Sequence, residues 1–166
     1  YQHMRRYTDY LKTRADNGIL SFGLGDWYDY GDFRAGFSRN TPVPLVATAH
    51  YYMTVMYLIK AARMVGNEFD VRYYSSLAYD IMVAFNKRFL DSNTAQYGTG
   101  SQASNALPIF LQMIQSTGDK GDYTPDASLA AKVLTNLIKD VESHGNRLTT
   151  GDAVSYTHLT LPTKLE

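Results

Sequence analysis

The 166-residue chain has no cysteine, which excludes disulfides and thiolate metal sites and leaves the redox compartment undetermined. It has no surplus of charge either, since sixteen basic residues balance sixteen acidic ones. The electrostatic footprint of a nucleic-acid or membrane-surface binder is therefore missing, and the expected partner is neutral or small. No apolar run approaches the roughly twenty residues needed to cross a bilayer, and no basic-then-apolar leader opens the chain. The four histidines, His3, His50, His144 and His158, have no paired spacing. Neither a metal site nor a phosphate loop nor a Ser-His-Asp arrangement can be argued, and no cofactor is expected. Tyr1, not methionine, opens the chain in mid-pattern, so the true start is expected elsewhere and the cellular location stays open.

Tyrosine, by contrast, is abundant: fourteen are present, beside a single tryptophan. Aromatic hydroxyls suit a fold that lines a polar cavity, although most tyrosines in any protein are simply half-buried. The length suits one domain with a real core, or a piece of one. Met4, Tyr7 and Leu11 recur at helical spacing before an Asn17-Gly18 stop. Thr41 as cap and Pro42 as first helical residue open a second helix, apolar nearly all round and expected to be buried. Leu45, Ala49, Tyr52, Met56 and Ile59 mark its stripe. After a Gly66-Asn67 break, Tyr73, Leu77, Ile81, Phe85 and Phe89 mark a third helix, which makes an antiparallel hairpin with the second. A short apolar helix carries Ala106, Leu107, Phe110, Leu111 and Ile114, with Pro108 tolerable only near its first turn or at a kink. A fifth is expected to start with Thr124 as cap and Pro125 at its first position, and to stop at His144-Gly145. Leu129, Val133, Leu137 and Val141 form its core stripe, with Lys132, Asn136 and Lys139 facing water.

After about Asp152 the helical period is lost. The stretch "AVSYTHLTLPTKLE" is similar to the translated adapter read-through that ends many environmental gene fragments, and Leu165-Glu166 could equally be a cloning scar. Residues 153–166 are expected to be a non-native tail rather than a terminal strand.

The polar loops between the helices are the candidate site. The first, "GLGDWYDYG", offers Asp26, Trp27, Asp29, Tyr30 and Asp32. From the second come Tyr97, Gln102 and Asn105, and from the third His144, Asn146, Thr149, Thr150 and Asp152. An aromatic face for the apolar side of a sugar ring, with carboxylates and amides for its hydroxyls, is what a neutral polyhydroxylated ligand requires. Each residue also has a plain structural explanation. Trp27 could anchor its loop, and Asp26 could cap a turn. Gln102 and Asn105 could satisfy helix N-terminal amides, His144 could face a helix dipole, and Thr149 could serve a turn. It is the coincidence of three such loops, expected on one rim of hairpin-built α/α architecture, that favours a sugar. Glycosidases ordinarily use two carboxylates, roughly 6.5 to 9.5 Å apart in inverting enzymes and about 5 Å in retaining ones. Spacing in a sequence does not give such separations.

Four phrases in order, "FGLGDWYDYG" from Phe22, "NTPVPLVATAHYY" from Asn40, "QYGTGSQASNALPIF" from Gln96 and "HGNRLTTGD" from His144, resemble the six-hairpin catalytic domain of bacterial α-L-rhamnosidases. The departures, at Pro44, Ala103-Ser104 and Arg147, remove none of the acidic or aromatic residues. The resemblance implies an all-α fold, a partial (α/α)6 toroid of about five helices over residues 1–152 whose partner is the remainder of its own catalytic domain. It implies hydrolysis of terminal α-L-rhamnosides by an inverting pair of glutamates. In the family the acid lies upstream and the base downstream of the region matched, so no catalytic residue is expected here and the isolated chain is expected to be inactive and poorly soluble. By the family's pattern the Asp26-Trp27 loop rims the sugar pocket, with Trp27 against the C6 methyl of rhamnose and Asp26 positioning a hydroxyl or a neighbouring loop.

Three alternatives stand beside that reading. Fucosidases and trehalases share the architecture, and fold alone does not choose among sugars. A non-catalytic helical-hairpin scaffold would show repeat periodicity and a polar capping helix, and neither is found. Carbohydrate binding without hydrolysis is the third.

Overall fold

A computed structural model describes residues 1–30, 36–117 and 123–151. The first helix, α1 (Gln2–Arg14), buries Thr8 and Leu11 and leaves Tyr7 and Tyr10 exposed. The chain then reverses at Asn17 and Gly18, both at positive φ, where Asp16 and Ile19 exchange backbone hydrogen bonds.

Helices α2 (Val43–Met64) and α3 (Glu68–Phe89) form the central antiparallel hairpin. The turn between them is short because Gly66 takes φ +70° at no steric cost. Asn67 then caps α3, its side chain accepting from the Asp70 N–H at 3.1 Å. The start of α2 differs from expectation: Pro42 keeps an extended ψ of 128° and occupies the cap position. Thr41 does not cap the helix, and its hydroxyl lies 2.7 Å from that of Ser101. The buried stripe of α3 also differs, running through Tyr74, Ala78, Ile81, Met82 and Phe85. Tyr74 is the buried one, donating to Asp9 of α1 at 2.7 Å, while Tyr73 stays exposed at the rim of the same junction, where its hydroxyl accepts from Lys12 at 2.6 Å.

Packing along this hairpin falls into two lobes. One joins Leu11 and Leu20 to Tyr51, Val55, Leu58, Tyr74 and Ile81. The other joins Leu45, Ala49 and Phe85 to Tyr97, Ala103, Leu107, Met113 and Val133.

The second lobe is completed by elements C-terminal to α3. Strands β1 (Leu90–Asp91) and β2 (Gln96–Tyr97) form a minimal antiparallel hairpin leading to α4 (Gln102–Phe110). Pro108 sits near the C-terminal end of α4, so only the last turn is disturbed: Pro108 C=O accepts from Met113 N–H at 2.9 Å as the helix ends. Ile114, expected within this helix, is buried just past its end. Strands β3 (Gln115–Thr117) and β4 (Tyr123–Pro125) pair antiparallel before α5 (Ala127–Ser143).

Thr124 and Pro125 thus belong to a strand, and the cap of α5 is Asp126, accepting from Leu129 N–H at 2.8 Å. Val133 is the one fully buried side chain among the described residues of α5, while Leu134 and Ile138 are exposed. Asn136, expected to face water, instead donates to the carbonyls of Thr94 and Ala95 at 2.8 and 2.9 Å. It ties the β1–β2 turn to α5.

No helix among the described residues is long and apolar enough to cross a membrane. The expected tail from residue 153 onward, together with Asp32 and Asp152, lies outside the described residues.

Candidate functional site

Three loops meet at one end of the α2–α3 hairpin, and buried polar side chains fix the meeting. Asp29, buried in the first loop, accepts with Oδ2 from the backbone N–H groups of Arg39 and Asn40, at 2.7 and 2.6 Å. In the second loop Asn105 accepts from Tyr97 N–H at 2.9 Å and donates to Gly100 C=O at 3.2 Å. Gln102 reaches across to the third, donating to Arg147 C=O at 3.0 Å and accepting from Thr149 N–H at 2.9 Å. Asp29 and Gln102 thus satisfy irregular backbone that no helix or sheet ladder would satisfy, and Asn105 ties strand β2 to the loop that follows it.

Direct bonds between loops complete the frame. Thr149 C=O accepts from Tyr30 N–H at 3.2 Å and from Asn40 Nδ2 at 3.3 Å, and Asn40 Nδ2 also donates to Tyr30 C=O at 2.6 Å. Thr99 Oγ1 donates to Asn40 C=O. Gly151 packs so closely on the first loop that a Cβ there would lie 2.2 Å from Trp27 C=O and 2.5 Å from Asp26 C=O. The Asp26 side chain is fully buried beneath this contact.

Between the loops opens a cleft of about 640 Å³. Tyr30, Asn40, Thr99, Ser101 and Thr149 give it hydroxyl, amide and backbone groups, and Arg39, Asp140, His144 and Arg147 give it charge or titratable rings. His144 Nδ1 lies 2.8 Å from Asp140 C=O and 3.3 Å from Asp140 Oδ2. The carbonyl is the nearer acceptor for that one N–H, with the carboxylate as a further electrostatic partner when the ring is protonated.

Of the eight residues singled out in the sequence, Tyr30, His144 and Thr149 line the cleft. Asp26, Asp29, Gln102 and Asn105 stand behind its walls, all buried. Trp27 is half-buried at the first loop, its ring meeting those of Tyr28 and Phe37 edge-on at 5.6 and 5.3 Å. Tyr97 lies in the core, not the cleft. Its hydroxyl donates to Asn86 Oδ1 at 2.5 Å, and burial pushes its phenol well above the usual tyrosine range.

Arg39, Asn40, Thr99, Ser101, Asp140, Arg147 and Leu148 also line the cleft and were not expected. Asn40 was hidden by its place before Thr41-Pro42, where it reads as helix-start punctuation. Thr99 and Ser101 read as turn residues among glycines. Asp140, one turn before His144, was the one member with a legible helical spacing.

The family described as bacterial alpha-L-rhamnosidase 6 hairpin glycosidase domain matches residues 1–162. No curated protein matches the chain. Among solved structures, the α-L-rhamnosidase from Dictyoglumus thermophilum is 28% identical, with a TM-score of 0.75 over 95% of this chain and 18% of that one. The Streptomyces avermitilis α-L-rhamnosidase complexed with L-rhamnose is 20% identical, TM-score 0.76, covering 97% of this chain and 14% of that one. Native α-L-rhamnosidase from Aspergillus terreus, 18% identical, gives 0.76 over 93% and 18%; at these two identities the likeness is one of fold. The chain thus spans less than a fifth of each of these proteins. With a family match over nearly its whole length and an all-α hairpin architecture, the chain belongs to the bacterial α-L-rhamnosidase six-hairpin glycosidase domain family.

Proposed function

We propose that this chain is a segment of the catalytic domain of an enzyme that hydrolyses terminal α-L-rhamnosides with inversion. The observation that carries the reading is the convergence of three loops on one polar cleft, locked by the bridge of Gln102 to Arg147 and Thr149. Sugar hydroxyls both donate and accept, and the mixed lining of Tyr30, Asn40, Thr99, Ser101 and Thr149 can do both in return. Trp27, grouped with Tyr28 and Phe37, offers the apolar surface that the C6 methyl of a deoxy sugar requires.

In this reading Tyr30, His144 and Thr149 meet the substrate directly. Asp26, Asp29, Gln102 and Asn105 act through the backbone they hold. Inversion needs an acid at the glycosidic oxygen and a base on the attacking water, with the carboxyl groups roughly 6.5 to 9.5 Å apart. We assign both to parts of the domain outside this chain, so the chain alone is expected to show no turnover.

The test is to incubate the full-length protein with an aryl α-L-rhamnoside and follow the released sugar by proton NMR. The first anomer released is expected to be β-L-rhamnose. Initial release of the α anomer would refute inversion, and no release would refute the activity.

A further inference from the structure

The ring of His144 has two nitrogens, and its surroundings decide which of them carries the proton. Nδ1 turns back on the end of α5, 2.8 Å from Asp140 C=O and 3.3 Å from Asp140 Oδ2. That carboxylate oxygen is buried and has no hydrogen-bond partner among the described residues. Ser143 Oγ lies 3.2 Å from the same nitrogen, but its own proton goes to Asp140 C=O at 2.8 Å. A carbonyl and a carboxylate have no proton to give, and the serine has already given its own. All three neighbours of Nδ1 can therefore only accept.

Nδ1 is thus the protonated nitrogen of the neutral ring, and Nε2 holds a lone pair. The bonds of the ring to described residues all run through Nδ1, so Nε2 is its one polar atom left over. His144 and Asp140 both line the cleft, and the histidine side chain is half-exposed there. A sugar hydroxyl gives one proton and takes others, so each hydroxyl that binds needs a lone pair to receive its proton. Nε2 offers one, at a place set by the last turn of α5.

We propose that His144 binds the sugar as a hydrogen-bond acceptor, Nε2 receiving the proton of one ring hydroxyl of the rhamnose while Asp140 holds the tautomer that leaves this nitrogen bare. The inference rests on the rhamnoside reading above and adds a direction to the contact: the ring accepts and the sugar donates.

The experiment measures inhibition constants of L-rhamnose and of its 2-, 3- and 4-deoxyfluoro analogues against hydrolysis of an aryl α-L-rhamnoside by the full-length protein. Fluorine keeps the polarity of the hydroxyl it replaces but cannot donate. His144→Leu is expected to weaken L-rhamnose about fivefold, the scale of one neutral hydrogen bond. His144→Gln, whose amide oxygen can stand near the place of Nε2, should recover part of that loss. For one of the three analogues the parent and His144→Leu should bind equally, because the proton that Nε2 receives is already missing. For the other two the fivefold gap should persist. A gap that persists for all three overturns acceptance from a ring hydroxyl, and equal binding of L-rhamnose itself by the two proteins removes His144 from the contact. Either result, with the aryl rhamnoside still hydrolysed by the parent, leaves the rhamnoside reading intact. No hydrolysis by the parent overturns the reading on which the inference rests.

Discussion

The two ends of the α2–α3 hairpin both bury polar groups, but they use them differently. At the loop end the polar side chains bind backbone: Asp29, Gln102, Asn105 and Asn136 all reach main-chain N–H or C=O groups. At the turn end they mostly bind each other, with Asn67 also accepting from the Asp70 N–H as the cap of α3. Asp70, buried there, receives Tyr1 Oη, Asn67 Nδ2 at 3.1 Å and Arg5 Nε at 3.7 Å, and Tyr74 donates to Asp9. The cause is backbone geometry. Helices satisfy their own main chain, so side chains between α1 and α3 are left to pair with one another. The loops have no ladder, so burying them requires side chains as surrogate partners. A rim that must hold irregular backbone in place is what a ligand site needs, and a helix–helix junction is not.

If that contrast is right, the largest loss should come from removing a side chain that serves loop backbone in the core. Asn86 is buried, donates to Met113 C=O at 2.7 Å and accepts from the Tyr97 hydroxyl. Asn86→Leu keeps the branching at Cγ and orphans both partners. At roughly 1–3 kcal/mol for each unsatisfied buried group, a destabilisation of about 4 kcal/mol is expected in urea unfolding. A loss below about 1 kcal/mol would mean that the loops do not depend on such surrogates.

Function should separate the two ends next. Trp27→Ala in the full-length protein is expected to lower kcat/KM on an aryl rhamnoside about a hundredfold, some 2.7 kcal/mol of transition-state binding. Near-normal kinetics would remove Trp27 from the site. Asp70→Asn, at the other end, should leave kinetics unchanged and cost about 1 kcal/mol, because the amide keeps the shape while the Arg5 attraction is lost. A kinetic effect of Asp70→Asn comparable with that of Trp27→Ala would erase the distinction.

Legibility in the sequence divides along the same line. The helices were readable because apolar spacing and punctuation such as Gly66-Asn67 are local signals. Their exact starts were less so. Pro42 and Pro125 each look like first helical residues, yet one is an extended cap residue and the other lies in a strand paired with Gln115. The site was legible as loop chemistry and as four family phrases, but not as geometry. Gln102 and Thr149 are 47 positions apart, and nothing local in either announces the bond between them. For the same reason buried Asp29 and Gln102 could not be told from side chains that touch a ligand, and Asn40 and Arg147 could not be told from ordinary turn residues.

The smallest expected effect asks whether the rule of the loop end extends to the surface. Asp126 caps α5, the helix whose Asn136 holds the β1–β2 turn. The backbone N–H of Leu129, with a further bond from Ser116, holds its carboxyl below the ordinary value of 3.8. A carboxyl depressed in the folded state stabilises the fold fully above its unfolded value and loses that contribution as pH falls through the folded value. Melting temperature should therefore decline slightly on acidification from about pH 6 to about pH 2. Asp126→Asn retains an oxygen for the Leu129 bond but cannot titrate. Its melting curve should lie slightly below that of the parent at neutral pH and decline less between those limits. An identical acid dependence in the two proteins would show that this cap contributes through its shape alone, and that surrogate bonding to loop backbone matters only where the backbone is buried.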